Sequence, residues 1–355
     1  MEALEDRTER IRMIRDSAGA IVPPGDLERV RALRYGEPGF DRAVWREMCG
    51  LGWLGLRVAE AAGGSGLGMR EYCALAEECG AGLVPEPLIA CSMAARVLGS
   101  GGKELDRLMA GDRIIIPAWQ ERPNTLTPGR DTVLRDGRVS GRKVFVPMAA
   151  GADAFLVAAN AGLALVARGA AGVSLTIDRT QDGGHYGTLT LDNALSQPIA
   201  GDLAEAIEEA TLATAAYLLG VMERAFAMTL AYLKTRQQFG KPIGSFQALA
   251  HRAADLKIQV ALTRASVEAA ALTLDSSSVQ AIRRAAVSRA KARASDAAIQ
   301  VTREAIQMHG GIGYTDEYDV GLYLRKAMVL ANLFGSAALH RARYAEVAAE
   351  DDDDE

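Results

Sequence analysis

The sequence has few of the residues that mark metal sites, secreted proteins or membrane proteins. Its 355 residues include four histidines and four cysteines, and neither set has metal-ligand spacing, so we expect no metal site and reduced, mostly buried thiols. No apolar run approaches the roughly 20 residues that a membrane span needs. The formal charge, 40 − 45 = −5, gives no reason to expect nucleic-acid binding. With the charged N-terminal segment MEALEDRTERIR, these features predict a cytoplasmic protein.

Helical patterns flank a β-rich middle segment. Residues 1–112 are predicted to form a helical domain. Over residues 113–200 the chain changes to short apolar or alternating runs bounded by Gly, Asp or Asn, with a hairpin at Asp136-Gly137. Residues 201–345 are helical again, and residues 346–355 are an acidic tail. The four long helical segments of the C-terminal part are predicted at 203–234, 244–273, 279–308 and 318–345.

The third of these segments shows its packing face in the sequence. Apolar and small residues recur every three or four positions, as on one side of an amphipathic helix. Small side chains let helix axes approach closely, and four helices with short connections form a four-helix bundle. The predicted fold class is therefore mainly α with a central β domain. The predicted packing residues are Ile282, Ala286, Ala290, Ala294, Ala298, Val301, Ala305 and Met308.

Two loops of the C-terminal part carry more than a helix connection requires. TRQQFGKPIGSFQ contains the glycine, proline and serine of a helix end and restart. Those residues do not account for a set of four others in the same loop, Arg236, Gln238, Phe239 and Gln247. QMHGGIGYTDEY places three glycines in four positions after Gln307, where backbone N–H groups can approach a pyrophosphate.

With these motifs the chain resembles the acyl-CoA dehydrogenases over nearly its whole length, including WREMCGLGWLGLRVAEAAGGSGLGMREYCALAEECG near the N-terminus. The resemblance implies an N-terminal helical domain, a middle β-barrel and a C-terminal four-helix bundle. It also implies α,β-dehydrogenation of an acyl-CoA thioester, in which a glutamate removes the α-proton and the flavin of FAD takes the β-hydride. Electron-transfer flavoprotein is the expected electron acceptor. Family members are typically tetramers in which each FAD lies across a dimer interface.

The half of the FAD site that one subunit offers to its neighbour is matched in this chain. The resemblance assigns an arginine to the pyrophosphate, a polar residue that assists it, and an aromatic that packs on the cofactor. It also assigns two glutamines near the adenosine and diphosphate, and two glycines for backbone approach. In the same order these positions are Arg236, Gln238, Phe239, Gln247 and Gln307, and Gly310 and Gly311.

The half that would hold the chain's own flavin is largely missing. The family's Thr-Glu-Pro-x-x-Gly-Ser-Asp-like stretch corresponds to IIIPAWQERPNTLTPGRD, where only QERP at 120–123 is a faint echo. At the flavin-ring position, GRKVFVPMAAGADAF supplies the aromatic Phe145, but Pro147 stands where a Thr or Ser is usual. Proline has neither a hydroxyl nor an N–H to donate. We expect a weak stacking contact from Phe145 at most.

The catalytic base is missing as well. The glutamate that precedes Gly-Thr in most of the family falls on Phe334, and a glutamine that touches FAD falls on Ala338. Where family members carry the base on the first bundle helix, the position corresponds to Ala210. Glu208 and Glu209 precede it, but adjacent helical residues point about 100° apart, so they are weak candidates. Their alternative role is to complement the dipole near a helix N-terminus.

Three functions remain open at this point. The first is a base-lacking subunit that completes the FAD site of a paralogous catalytic subunit, similar to the α2β2 heterotetramers of bacterial steroid side-chain breakdown. The chain keeps the residues offered to a neighbour's FAD and lacks those that would hold its own flavin, and this asymmetry favours the first function. The second is a homomeric flavoenzyme, a dehydrogenase or oxidase, with a relocated base. The third is a non-catalytic acyl-CoA-binding scaffold. The acyl group is not specified by the sequence, because specificity depends on the shape of the cleft.

Overall fold

The computed structural model describes residues 2–23 and 25–352, in which helices precede and follow a β region. The predicted order of helices, β region and helices is confirmed. Asp41 begins one of the early helices as an N-cap, because its Oδ1 accepts the backbone N–H of Ala43 at 2.7 Å. The helices before the β region are α1 (Glu2–Ile21), α2 (Glu28–Leu33), α3 (Arg42–Gly50), α4 (Met69–Ala81), α5 (Leu88–Val97) and α6 (Lys103–Met109).

The β region contains the strands β1 (Ile115–Ala118), β2 (Val133–Arg135), β3 (Arg138–Pro147), β4 (Ala154–Ala159), β5 (Gly162–Ala167), β6 (Val173–Arg179), β7 (His185–Leu195) and β8 (Gln197–Ile199). They form two four-stranded sheets, β1-β4-β5-β8 and β2-β3-β7-β6, where the resemblance implied a barrel. β1 and β4 pair in parallel and are buried along their whole length, as expected for strands covered on both faces. The predicted hairpin joins β2 to β3 through Asp136 and Gly137, both at positive φ.

The C-terminal part is helical, as predicted, and is organised around one central helix. Its elements are α7 (Ala204–Thr235), the hairpin strands β9 (Gln237–Gln238) and β10 (Lys241–Pro242), α8 (Gln247–Ser276), α9 (Gln280–His309), α10 (Val320–Leu330) and α11 (Ala337–Asp352). α9 contains no Gly or Pro, which suits a 30-residue helix, and it packs against α8, α10 and α11. Its predicted alanine face is buried, but Ile282 is 52% exposed because it lies in the first turn of the helix.

The fourth predicted helical segment is two helices, because the chain leaves helical geometry over residues 331–336. Phe334 has φ 55° and Gly335 has φ 94°, and two successive left-handed residues end a right-handed helix. α11 then continues to Asp352, within the segment predicted as an acidic tail. Residues 353–355 of that segment lie outside the described residues.

The chain divides into two compact units. Unit 1 comprises Met1–Leu27, Cys73–Val84 and Thr211–Glu355, and it holds the C-terminal helices. Unit 2 comprises Glu28–Tyr72 and Pro85–Ala210, and it holds both four-stranded sheets. The domain boundaries near residues 112 and 200 stay predictions. Along the described part of the chain, no helix combines the length and apolar character needed to cross a membrane.

Two glycines permit a close helix crossing inside unit 1. A Cβ at Gly220 would lie 1.9 Å from the carbonyl oxygen of Glu77, and a Cβ at Gly80 would lie 2.0 Å from that of Tyr217. Any larger residue at either position would have to push the helices apart. Beside this crossing, the buried Glu77 carboxylate accepts a hydrogen bond from Arg264 Nη2 at 2.5 Å. A charged contact thus ties α4 to α8.

Candidate functional site

The two motif loops lie at one end of the helices of unit 1. The first loop follows α7, and the backbone N–H of Arg236 at its start donates to the carbonyl of Tyr232 at 2.8 Å. The second loop follows α9, whose last residue is His309. The rings of Tyr232 and His309 stack with centroids 4.5 Å apart. This stack brings Arg236 next to the loop that begins at Gly310, although the two are 74 residues apart in sequence.

His309, Tyr232 and Tyr318 form an aromatic cluster that sequence reasoning did not single out. Tyr318 lies 4.8 Å from His309, so the imidazole has a ring on each side. Its Nδ1–H donates to the carbonyl of Ala305 at 2.7 Å, which leaves Nε2 as an acceptor that is buried without a hydrogen-bond partner. Burial lowers the pKa of His309. The second motif contains His309 and Tyr318, and Tyr232 lies three residues before the first motif, but only the fold shows that the three rings touch.

The first loop is a tight hairpin with an aromatic residue at its tip. β9 and β10 pair so that Phe239 and Gly240 form the turn, at φ 53° and 78°, the geometry of a two-residue hairpin. A non-glycine residue there costs roughly 1–2 kcal/mol. The Phe239 side chain is nevertheless 90% exposed, and its ring packs edge to face with that of Phe246, with centroids 6.1 Å apart. A strained and exposed aromatic side chain is typical of a surface that meets a ligand or partner.

The other predicted neighbour-facing residues are accessible at the same end of the bundle. The Arg236 side chain is exposed and has no hydrogen-bond or ion-pair partner within residues 2–23 and 25–352. Gln247 begins α8 directly after Phe246, and Gln307 lies in the last turn of α9; both are exposed. Gln238 is exposed too, with its Nε2 on the carbonyl of Gln237 at 2.8 Å.

The glycine loop can accept a diphosphate. Gly310 adopts φ 65° and ψ −142°, a conformation essentially confined to glycine. A Cβ built on either Gly310 or Gly311 meets no atom within 4 Å, so space is open beside the backbone of both residues. The Gly310 N–H itself donates to the carbonyl of Gln307, so the two glycines provide room for a diphosphate. The guanidinium of Arg236, which has no partner among the described residues, provides the donors that phosphate oxygens require. Tyr314, 77% exposed, lies in the same loop.

The position predicted to correspond to the family base is occupied by a buried side chain, in a turn held by several hydrogen bonds. Phe334 is 3% exposed and has φ 55°. His340 Nε2 donates to its carbonyl at 2.8 Å. Lys291 Nζ donates to the carbonyls of Ala331 at 3.0 Å and of Gly335 at 3.2 Å. We call Lys291 and His340 the carbonyl clamp of the 331–336 turn.

The clamp residues are buried charged or titratable groups. Lys291 also bonds Ser295 Oγ at 3.0 Å and the carbonyl of Leu330 at 3.2 Å, so its ammonium lies among four oxygens at the C-terminal end of α10, which favours a cation. Burial lowers the pKa of Lys291 to about 7, against the opposing charge of Asp296. Burial, with the nearby Lys291 charge, lowers the pKa of His340 to about 4.

The two weak base candidates, Glu208 and Glu209, are buried in unit 2. Glu209 accepts hydrogen bonds from Arg57 at 2.7 and 3.3 Å and from Arg96 at 3.3 Å. Both carboxylate oxygens are engaged by guanidinium groups, so a proton acceptor at Glu209 would first have to leave an ion pair. Arg57, Arg96 and Glu209, with Ala210, line a cavity of only about 10 Å³.

The segment that corresponds to the family's flavin-ring stretch is held closed by its own residues. Glu121 Oε1 accepts from buried Lys143 Nζ at 2.6 Å and from Thr132 Oγ1 at 2.7 Å, while Oε2 accepts the backbone N–H of Asp131 at 2.9 Å. Burial acts to raise the pKa of Glu121, but these hydrogen bonds outweigh it and lower the pKa to about 2. A Cβ at Gly129 would lie 2.3 Å from the same carboxylate. The loop 119–132 therefore packs on Glu121.

The predicted stacking residue of unit 2 lies on an irregular stretch of strand. Phe145 has φ 55° beside a register shift between Lys143 and Val146, as in a β-bulge. Its ring is 41% exposed and meets Tyr186 edge to face at 6.2 Å. Pro147 pairs with Tyr186 in register. An exposed aromatic face is present at Phe145, without a donor from Pro147.

Comparison with known proteins matches both ends of the chain to one family. Residues 8–106 match "Acyl-CoA dehydrogenase, N-terminal domain", and residues 202–349 match "Acyl-CoA dehydrogenase, C-terminal domain". The chain is 32% identical over 338 residues to acyl-CoA dehydrogenase IpdE2 of Mycolicibacterium smegmatis, covering 92% of this chain and 95% of that protein.

Solved structures match over almost the full length. A chain of a variant of the Tcur3481-Tcur3483 steroid ACAD superposes with a TM-score of 0.87 at 31% identity, covering 97% of this chain and 98% of that one. A chain of the ChsE4-ChsE5 complex from Mycobacterium tuberculosis superposes with a TM-score of 0.83 at 29% identity, covering 97% of each. Because IpdE2 is 32% identical to this chain and the match covers 92% of it, the chain belongs to the acyl-CoA dehydrogenase family.

Proposed function

We propose that this chain is the base-lacking subunit of an acyl-CoA dehydrogenase and that it completes the FAD site of a paralogous catalytic subunit. The reaction is α,β-dehydrogenation of an acyl-CoA thioester in lipid or steroid breakdown, in the cytoplasm, with electron-transfer flavoprotein as the electron acceptor. Two of the similar structures, Tcur3481-Tcur3483 and ChsE4-ChsE5, are each named as a pair of proteins. This supports a two-protein assembly for this chain.

The observation that carries the proposal is an asymmetry between two sets of residues. The neighbour-facing set (Arg236, Phe239, Gln307 and Gly310) is gathered at one end of unit 1, exposed and open to a diphosphate. The residues that would serve this chain's own flavin and substrate are not available: Phe334, at the position predicted for the base, is an apolar side chain and is buried. Random loss would not spare one half while removing the other.

FAD, when bound, supplies the hydride acceptor of the reaction. The residues of this chain would bind and orient its far end. The Arg236 guanidinium would pair with phosphate oxygens in bidentate fashion. Gly310 and Gly311, which have no side chains, would let the same diphosphate approach the backbone closely. The exposed ring of Phe239 would pack on the cofactor and exclude water from it. The proton would be removed by a carboxylate of the partner, because Phe334 has no acceptor.

The homomeric alternative with a relocated base has less support. Glu209 is engaged by Arg57 and Arg96. The cavity that it lines with Ala210, at about 10 Å³, is far below the usual size of a small-molecule pocket, roughly 300–1,000 Å³. The scaffold alternative does not account for the gathered Arg236 and Gly310 loops.

The test is expression of the chain alone and together with the acyl-CoA dehydrogenase-like product of a neighbouring gene. Native mass spectrometry gives the subunit composition, and the absorbance of released flavin gives the FAD content. We expect a colourless lone chain and a yellow complex with one FAD per pair of unlike subunits. A lone chain that forms a tetramer with four FADs and oxidises an acyl-CoA would refute the proposal.

The role of Arg236 is tested inside the complex. Arg236→Ala should lower the FAD content of the co-expressed complex at least tenfold at limiting FAD, because a charge-assisted bidentate contact contributes roughly 1.5–3 kcal/mol. Arg179→Ala is the matched control, since Arg179 is an exposed arginine at the end of a strand in unit 2. Equal flavin content in both variants would remove Arg236 from the site.

A further inference from the structure

A groove of about 600 Å³ lies on unit 1, between α8, α9 and α11 and apart from the motif loops. Its volume is within the range of small-molecule pockets, roughly 300–1,000 Å³. Two residues of its lining, Ser288 and His340, are fully buried, so the groove reaches into the bundle. Gln259, Gln300 and Tyr344 add amide and phenol groups along its walls.

The groove is basic although the chain is acidic. The chain has a net charge of −5, but the groove is lined by three arginines and one carboxylate, 3 − 1 = +2. Arg289 and Arg293 lie on α9 and Arg341 lies on α11, so the fold brings together cations of two helices. In sequence the cations of the two helices are separate and neither set stands out.

Two arginines of the lining keep unused donors. Arg289 and Arg293 are one turn apart on α9, and their like charges repel at that spacing. Arg289 has no hydrogen-bond or ion-pair partner among the residues that the structure describes. Arg293 places Nη2 on Gln259 Oε1 at 2.7 Å, but its Nε is buried without a partner. The one carboxylate of the lining, Asp296, is already paired with Arg341.

We propose that this groove is a binding site for a phosphate-bearing small molecule, with Arg289 and Arg293 as its anion contacts. A phosphate group offers the acceptors that a buried guanidinium N–H requires and relieves the repulsion between the two arginines. The side-chain amides of Gln259 and Gln300 provide further donors, and Tyr344 provides a ring face. The concave floor favours a small molecule over a flat macromolecular surface.

The test uses the purified full-length chain and sodium pyrophosphate as the probe. Isothermal titration at fixed ionic strength should show saturable binding of one pyrophosphate per chain. Arg289→Gln/Arg293→Gln should weaken it at least tenfold, and Arg289→Gln alone should weaken it severalfold. Arg303→Gln should change it less than twofold, because Arg303 is exposed on the same helix but outside the groove.

A second readout locates the bound probe. The chain has four histidines, so the imidazole NMR signals are few, and His340→Gln assigns the one that borders the groove. Pyrophosphate should shift the His340 signal and leave that of His185 in place. Absent or non-saturable binding, unchanged affinity in the double variant, or loss of binding in Arg236→Ala would overturn the site. Loss of binding when a partner subunit assembles would also overturn it, because the groove would then be a subunit contact.

Discussion

The stability of unit 1 should depend on pH through Lys291, and the structure gives the sign of the effect. The ammonium is fully buried and donates to three carbonyls and the Ser295 hydroxyl. Burial lowers its pKa from 10.5 to about 7. Between these two pKa values the unfolded chain binds a proton that the folded chain does not, so the free energy of unfolding rises with pH.

The size of the effect follows from linkage. Above the pKa of Lys291 in the folded state, the free energy of unfolding rises by up to about 1.4 kcal/mol per pH unit. For a folded pKa of about 7, the gain between pH 6.5 and pH 9 integrates to about 2.5 kcal/mol. Lys291→Met removes the titrating group and leaves the carbonyls of Leu330, Ala331 and Gly335 without their donor, at roughly 1–3 kcal/mol for each group that finds no other partner.

The assay is urea denaturation followed by far-UV circular dichroism from pH 6.5 to pH 9 at constant ionic strength. Tryptophan fluorescence would not serve, because Trp45, Trp53 and Trp119 all belong to unit 2. The difference in unfolding free energy between the wild type and Lys291→Met should widen by about 2.5 kcal/mol as the pH rises. Lys257→Met, at an exposed lysine of α8, should show no such change. A constant or narrowing difference for Lys291→Met would refute the reasoning.

Three further predictions concern single contacts. His309→Phe should be neutral or stabilising by up to about 2 kcal/mol, because the ring stack is kept and a buried unpaired nitrogen is removed, whereas His309→Ala should cost roughly 2–4 kcal/mol in thermal or urea unfolding. Gly129→Ala should destabilise unit 2 by roughly 1–3 kcal/mol, read as a lower midpoint by tryptophan fluorescence, since its Cβ would strike the Glu121 carboxylate. Burial raises the pKa of Glu77, but Arg264 and a second arginine bond it and leave the pKa lowered, so the stability that it contributes should be lost as the pH falls below about 4.5. Glu77→Gln should remove that acid dependence, and parallel pH profiles for it and the wild type would contradict the assignment.

Local patterns predicted the helices well and the long-range contacts not at all. The 3.6-residue period of α9 located it within one residue at each end, because a buried helical face dictates spacing. Ile282 was wrongly placed on the packed face, since periodicity does not show where the neighbouring helix ends. The ion pair of Glu209 with Arg57 joins residues 152 positions apart, and no local pattern in the sequence encodes such a pairing.

The motif loops were identified from the sequence, but their proximity was not. Arg236 and Gly310 are brought together by the stack of Tyr232 on His309, and aromatic residues at helix ends are common enough to carry no signal by themselves. The closing of the loop 119–132 was missed for a related reason. From the sequence, Glu121 was interpreted as a remnant of the family's flavin-ring stretch. In the structure it pairs with the buried Lys143, so the residue has a structural role of its own.

The carbonyl clamp bears on what the proposed loss of a base at position 334 would cost the fold. Lys291 on α9 and His340 on α11 bond backbone carbonyls of the 331–336 turn, and none of these bonds uses the side chain at position 334. The side chain at 334 is not needed to shape the turn, so replacing a glutamate by phenylalanine removes a buried carboxylate and adds apolar burial. Under the proposed function, the substitution would therefore cost little in folding free energy and would abolish proton abstraction by this chain. A chain that keeps the clamp and the Arg236 loop while carrying Phe334 would fold, and it would need a partner for the proton transfer.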